Sequence, residues 1–218
     1  MAMVRRTMLD SRRNVALACA LSALAGYVDG IGFVHLGGLF VSFMSGNSTR
    51  MGVSLAQGQW LNAAQAFGLV ALFVIGAAAG SLIVLGHGAH RQPRVLLVEA
   101  SLLAAAALCH TFGLSDVAVA AIVLAMGLEN AVFQIEGGGG LGLTYVTGAL
   151  VKVGQLAAAA LTGGARWAWA PNLLLWAALV MGSLCGALAY HWINLAAIWF
   201  AAAVALALSA LAAATAKR

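Results

Sequence analysis

The sequence predicts an all-α polytopic membrane protein with about six transmembrane helices, two re-entrant or broken half-helices and two inverted-topology repeats. Three observations predict this class: an extreme composition, a succession of long apolar segments, and a series of landmarks that occurs twice. Of the 218 residues, 63% are hydrophobic and only 8% are charged, against about 45–50% and about 25% in typical soluble domains. A water-soluble helical bundle needs more polar surface than this, so the lipid bilayer is the expected partner.

Eight apolar segments follow one another, four in each half of the chain. They span about 14–34, 36–56, 60–86 and 95–111, then 115–135, 141–162, 172–190 and 194–214. Most approach the roughly 20 residues that a helix needs to cross the hydrocarbon core. We therefore divide the chain into a basic N-terminal segment (1–13), a first membrane repeat (14–112), a second membrane repeat (113–214) and a tail (215–218). Asp29 within the first segment favours a retained helix over a cleaved signal peptide.

The second half of the chain repeats the landmarks of the first half in the same order, which predicts an internal duplication. The matches place Asp29 opposite Asn130, Ser45-Gly46 opposite Thr147-Gly148, Arg50 opposite Lys152, and the Gly76/Gly80 pair opposite Gly182/Gly186.

The distribution of basic residues selects between two topologies. If all eight segments cross from a cytoplasmic N-terminus, the basic loop 87–94 faces outside, which the positive-inside rule disfavours. If the second segment of each half enters and leaves on one side, every basic loop and both termini face the cytoplasm. Three crossings per half then insert the two halves in opposite directions. We expect a multi-pass protein of the cell (inner) membrane with cytoplasmic N- and C-termini.

The second segment of each half is unusually polar for membrane depth. Ser45, Gly46 and Asn47 predict an irregular stretch followed by a short helix that begins near Gly46, and Thr147-Gly148 repeat the pattern. Two such helix N-termini, entering from opposite sides, suit an anion or the oxygen of a polar solute. The alternative is an ordinary helix kinked at glycine, with its hydroxyls bonded to the preceding turn.

Charged residues inside the apolar segments are the other candidates for function. Each costs at least about 2.5–3.5 kcal/mol at mid-helix, so unpaired charges should be rare. The simplest arrangement pairs Asp29 and Glu129 with Arg50 and Lys152 around a central cavity. The alternative is that salt bridges only fasten the repeats, while the two cations snorkel to an interface. Glu99, near the end of its segment, is assigned a structural role.

The candidate substrate-binding or translocation residues are therefore Asp29, Ser45, Gly46, Asn47, Arg50, Glu129, Asn130, Thr147, Gly148 and Lys152. The Gly76/Gly80 and Gly182/Gly186 pairs fit small-xxx-small helix packing. This packing joins either the two repeats or two protomers, which leaves a homodimer open.

Two pairs of motifs resemble a known family. Ala25-Gly-Tyr-Val-Asp-Gly-Ile-Gly-Phe33 and Phe40-Val-Ser-Phe-Met-Ser-Gly-Asn47 resemble the first signature of the YoaK-like bacterial membrane proteins, and Gly127-x-x-Asn130 and Thr144-Tyr-Val-Thr-Gly148 resemble the second. The resemblance covers nearly the whole chain. It implies a six-span membrane protein of unknown function and supplies no substrate. The second signature has Gln before the Asn, where this chain carries the charged Glu129.

The motif inventory argues against an enzyme. The sequence has no His-Glu-x-x-His, Gly-x-Ser-x-Gly, Walker or dinucleotide-binding motif, so we expect no catalytic residue, no cofactor and no metal site. Its basic residues lie at the ends of apolar segments, which indicates orientation in the membrane and not nucleic-acid binding. The leading hypothesis is a small-solute transporter or channel of unknown substrate, passive or ion-coupled, with anionic or small polar solutes slightly favoured. The alternative is a non-transporting membrane scaffold or partner subunit.

Overall fold

The computed structural model describes residues 12–86, 91–133 and 146–216, and these ranges are mostly helical and contain no strand. The helices are α1 (Arg12–His35), α2 (Met44–Ala56), α3 (Trp60–Leu85), α4 (Arg91–Thr111), α5 (Ser115–Glu129), α6 (Val146–Leu161), α7 (Ala170–Ile193) and α8 (Ile198–Ala216). A 3-10 turn at Asn130–Phe133 continues α5, and another at Asn194–Ala197 joins α7 to α8.

Long apolar helices dominate the described part of the chain. Five stretches are long and apolar enough to cross a membrane, namely Asn14–His35, Trp60–Leu85, Arg91–Thr111, Ser115–Phe133 and Ala170–Thr215. The last stretch contains both α7 and α8, which are separated by a turn at Asn194, where φ is 53°. The predicted all-α polytopic membrane class is confirmed, and the predicted starts of α3 and α5 coincide with the observed ones.

The helix α2 is too short to cross the bilayer. Its 13 residues extend about 20 Å at 1.5 Å per residue, whereas the hydrocarbon core is about 30 Å thick. Residues 36–43 before α2 are not helical, so the segment predicted at 36–56 is a non-helical entry followed by a half-length helix. Its helix begins at Met44, close to the predicted start near Gly46.

The first helix of each half packs along the third helix of the other half, α1 on α7 and α5 on α3. A methyl group at Gly26 would overlap the carbonyl oxygen of Leu179, and one at Gly30 would overlap that of Ser183. Residue numbers rise together along both helices, so α1 and α7 run parallel. Only glycine lets the backbones approach this closely.

The same contact recurs between α3 and α5, which also run parallel. Methyl groups at Gly76 and Gly80 would overlap the carbonyl oxygens of Leu124 and Leu128. The equivalent residues of the other pair, Gly182 and Gly186, meet the backbone carbonyls of Ala23 and Tyr27 in the same way. Both glycine pairs therefore pack the two halves of one chain against each other.

The remaining core lies where α4 packs against α5 and α8. Its largest buried side chains include Leu96, Leu103, Ile122, Met126 and Ile198. Hydroxyls tie the helices together at isolated points: Ser209 of α8 donates to the carbonyl of Pro93 at 2.8 Å, and Ser22 of α1 donates to that of Leu175 at 2.9 Å. Large apolar side chains such as Leu61 and Trp192 point outward, as lipid-facing residues do.

Candidate functional site

The non-helical stretch 36–43 brings the chain back from the end of α1 to the start of α2. Gly37 and Gly38 have φ of 62° and 103°, in the left-handed region that glycine adopts without strain. The Gly38 amide donates to the carbonyl of Phe33 at 2.8 Å and so ends α1. The Arg50 guanidinium lies directly over Gly38, so a side chain at this position would require the guanidinium to move.

Asp29 fixes the far end of this stretch. Its Oδ1 accepts the backbone N–H groups of Val41 and Ser42, both at 2.8 Å, and its Oδ2 accepts the Ser42 hydroxyl at 2.7 Å. Asp29 as a whole is 9% exposed. A carboxylate that accepts several donors is stabilised in a buried position, so α1 supplies the partners that this irregular backbone needs at membrane depth.

Asn47 fixes the middle of the same stretch. Its Oδ1 accepts the backbone N–H of Phe40 at 2.9 Å, and its Nδ2 donates to the Phe40 carbonyl at 2.7 Å. The side chain is fully buried. The amide therefore satisfies both backbone groups of one residue, as a neighbouring strand would.

A cavity of about 500 Å³ opens beside Asp29. It lies between α1, the non-helical stretch, the start of α6 and one face of α7. The residues that give it polar or aromatic character are Asp29, Phe33, Phe40, Ser42, Phe43, Thr147, Trp176 and Ser183. A volume of this size is typical of small-molecule sites, which are generally 300–1,000 Å³ and mostly apolar with a few polar groups.

A smaller void of about 210 Å³ borders the cavity and contains the predicted crossing point. Ser45, in the first turn of α2, and Thr147, in the first turn of α6, both line it, together with Phe73 of α3. The structure thus brings Ser45, Thr147 and Asp29 to one region. Gly46 lies instead beneath the rings of Phe40 and Phe43, and Gly148 follows Thr147 in α6 without lining either space.

The two predicted cations lie away from the cavity. Arg50 lines a polar cleft of about 420 Å³ with Gln57, Gln59 and Asn62, and Lys152 is exposed on α6. In the described ranges, no ion pair joins Asp29 or Glu129 to either cation. The expected pairing was wrong, because the Asp29 carboxylate is already engaged by backbone donors and both cations extend toward open surface.

Glu129 and Asn130 lie where α5 tightens into its 3-10 turn. Asn130 Nδ2 donates to the carbonyl of Met126 at 3.0 Å. Glu129 is fully buried, and neither of its carboxyl oxygens has a hydrogen-bond partner among the described residues. Glu99 of α4 has the same character and lies within electrostatic range of Glu129.

Several residues of this region were not singled out from the sequence. Trp176, Leu179, Ser183 and Ala187 line the cavity along one face of α7, and their spacing of three to four residues is the signal that could have grouped them. Phe33, Phe40 and Phe43 form a chain of contacting rings with centroids 5.0 and 5.2 Å apart. The cavity thus offers hydroxyls, one carboxylate and aromatic faces, which bind solutes through hydrogen bonds and dispersion.

Comparison with known proteins places the chain in a family. Residues 17–211 match the family described as "Protein of unknown function (DUF1275)". The chain belongs to this family. This DUF1275 chain is 37% identical over 217 residues to a UPF0700 transmembrane protein of Rhizobium meliloti (strain 1021), an alignment that covers 94% of the chain and 90% of that protein. No solved structure matches the chain significantly.

These matches confirm the resemblance that the motifs indicated, to a membrane-protein family of unknown function. The relative's description as transmembrane agrees with the long apolar helices of the DUF1275 chain. Neither description names a substrate.

Proposed function

We propose that this protein is a small-solute transporter or channel built from two inverted repeats, with its binding site in the cavity beside Asp29. The cavity is the observation that carries the proposal. It is large enough for a small molecule, and its wall includes non-helical backbone held by Asp29 and Asn47. Membrane proteins tolerate such backbone where it is buried in protein or lines an aqueous cavity.

The helix pairing supports inverted repeats. An operation that carries α1 onto α5 and α7 onto α3 exchanges the two halves, as a two-fold axis does. An axis along the membrane normal would require α2 and α6 to cross the bilayer completely, and α2 is too short to do so. An axis in the membrane plane requires only that they enter and leave on one side. The start of α4 also lies beside the C-terminal half of α8, through Ser209 and Pro93, as antiparallel two-fold mates would.

The charge distribution supports a membrane orientation with cytoplasmic termini. Arg91 and Arg94 lie at the start of α4, and Arg166 lies in the turn before α7. In the inverted arrangement these ends face the same side as the N-terminus. The positive-inside rule assigns that side to the cytoplasm.

The lining of the cavity favours a small polar solute over an anion. Its charged group is the acidic Asp29, whereas Arg50 and Lys152 lie elsewhere. Ser42, Thr147 and Ser183 contribute hydroxyls, which both donate and accept hydrogen bonds. The aromatic rings of Phe40, Phe43 and Trp176 would cover the apolar side of such a solute.

Flux measurements on reconstituted protein test the proposal. Liposomes containing purified protein are screened with glycerol, neutral amino acids, chloride and phosphate. We expect the wild type to accelerate the entry of at least one neutral polar solute. Ala187→Phe, which fills the cavity, should abolish that flux, whereas Leu188→Phe on the exposed face of α7 should retain it.

Two outcomes would overturn the proposal. If folded wild-type protein moves none of these solutes, a scaffold or partner subunit becomes the better account. If Ala187→Phe retains full flux while folding normally, transport does not pass through this cavity.

A further inference from the structure

The hairpin of α4 and α5 encloses two carboxylic acids. A short turn, residues 112–114, joins the helices, and Glu99 and Glu129 lie at similar distances from it along their helices. Because α4 and α5 pack against each other, the two residues lie at a similar level of the hairpin. Both are fully buried, and Glu129 lies within electrostatic range of both Glu99 and Asp29.

All four carboxyl oxygens lack a hydrogen-bond partner among the described residues. Several other polar side chains buried in the described helices do have partners: Asp29 accepts three hydrogen bonds, and Asn47, Ser22 and Ser209 each bond a backbone group. The two glutamates differ from these groups, and a buried carboxylate needs a counter-charge or hydrogen bonds.

No cation of the described ranges forms an ion pair with either glutamate. The helices α3 and α8, and the 3-10 turns at Asn130–Phe133 and Asn194–Ala197, contain no ionisable residue. On α1 the ionisable neighbour is another acid, Asp29. The hydroxyl of Tyr27 donates to the carbonyl of Ala197 at 3.1 Å. Arg94 of α4 is exposed and forms no ion pair with either glutamate.

A proton is the ligand that this geometry accepts. Two neighbouring carboxylates in a dry, low-dielectric site cannot both remain ionised, and one shared proton removes one charge while providing a donor. A hard metal cation requires about six oxygen ligands. In the described ranges no group of three or more His, Cys, Asp or Glu is arranged to hold a metal ion.

We propose that Glu99 and Glu129 form a proton-binding pair within the α4–α5 hairpin, which holds at least one exchangeable proton at neutral pH. Asp29 lines the solute cavity and lies within electrostatic range of Glu129. Use of the pair to couple proton movement to solute movement rests on the proposed transport function. Proton binding itself does not.

Infrared spectroscopy of the full-length protein in liposomes tests the pair directly. At neutral pH the wild type should show the carbonyl stretch of a protonated carboxylic acid, which shifts in D2O. Glu99→Gln and Glu129→Gln should each remove or shift this band. Asp116→Asn, at an exposed acid in the first turn of α5, should leave it unchanged.

Three results would overturn the proposal: no protonated-acid band in the wild type at neutral pH, a band that survives in the double Gln variant, or a band that appears only after sodium is removed. The wild-type spectrum alone decides the first, even if a variant fails to fold. A normal band without solute flux would reject transport and keep the pair. Flux without the band would reject the pair and keep transport.

Discussion

Asp29 binds Ser42 through both of its carboxylate oxygens, taking the backbone amide on Oδ1 at 2.8 Å and the hydroxyl on Oδ2 at 2.7 Å. One residue of α1 thereby holds the last non-helical turn before α2. The same two residues line the cavity. The stability of the irregular stretch and the shape of the candidate binding site therefore depend on one carboxyl group.

Asp29→Ala should destabilise the protein, because it leaves the buried amides of Val41 and Ser42 without an acceptor. An unsatisfied buried donor costs about 1–3 kcal/mol. Asp29→Asn retains one acceptor oxygen and should destabilise less. Thermal unfolding in detergent would measure both, with the exposed Asp116→Ala as the control. Equal stability of Asp29→Ala and wild type would contradict the anchoring role.

Asn47→Ala should loosen the same stretch at Phe40. The substitution removes the acceptor for the Phe40 amide and the donor for its carbonyl, and each unsatisfied group again costs about 1–3 kcal/mol. Asn62→Ala is the matched control, since Asn62 is exposed and bonds only the side chain of Gln59. Thermal unfolding and limited proteolysis at 36–43 would report the change. Identical proteolysis of both variants would argue against the Asn47 contact.

Much of the fold could be predicted because hydropathy and glycine spacing can be read directly from the sequence. The start of α3 at Trp60 and the break at Asn194 follow directly from the ends of apolar segments. The start of α2 at Met44, before Gly46, was harder to predict from the sequence. The backbone just before it donates hydrogen bonds to Asp29 and Asn47, and these two residues lie at other positions in the chain.

The glycine contacts predict a sharp contrast between helix positions. Gly26→Ala and Gly182→Ala should destabilise the protein by about 1–3 kcal/mol, the usual cost of overpacking, because each added methyl group would overlap a backbone carbonyl. Gly52→Ala in α2 meets open space and should be neutral or stabilising, since alanine is the better helix former. Thermal unfolding of the three variants checks this. Similar losses for all three would contradict the close α1–α7 approach.

Labelling from each side of the membrane tests the inverted arrangement. In a cysteine-free background, Gln57→Cys and Ala165→Cys place one thiol each in the exposed turns that follow α2 and α6. Gln57 is preferable to Gly58, whose φ of 71° would strain a cysteine. A membrane-impermeant thiol reagent should reach the two positions from opposite sides. Labelling of both from one side would rule out inverted halves.

The partners of the buried carboxyl groups could not be predicted from the sequence. Asp29 and Glu129 were both recognised as costly intramembrane acids, but their partners depend on which helix face each occupies. Glu99 was assigned a structural role because of its place near the end of a segment. On α4 it lies among Val95, Leu96 and Leu103, all fully buried. In an almost uniformly apolar helix, no polar face marks which side turns inward.

The packing of α1 on α7 and of α3 on α5 also constrains the order in which the protein assembles during synthesis. Because α1 packs along α7 and not along a helix of its own half, it enters the bilayer long before the ribosome has synthesised its partner. Until α7 is inserted, the glycine face of α1 contacts lipid or the insertion machinery. Final assembly of this protein is therefore a late event, and a chain truncated before α7 leaves the α1 glycine face without its mate.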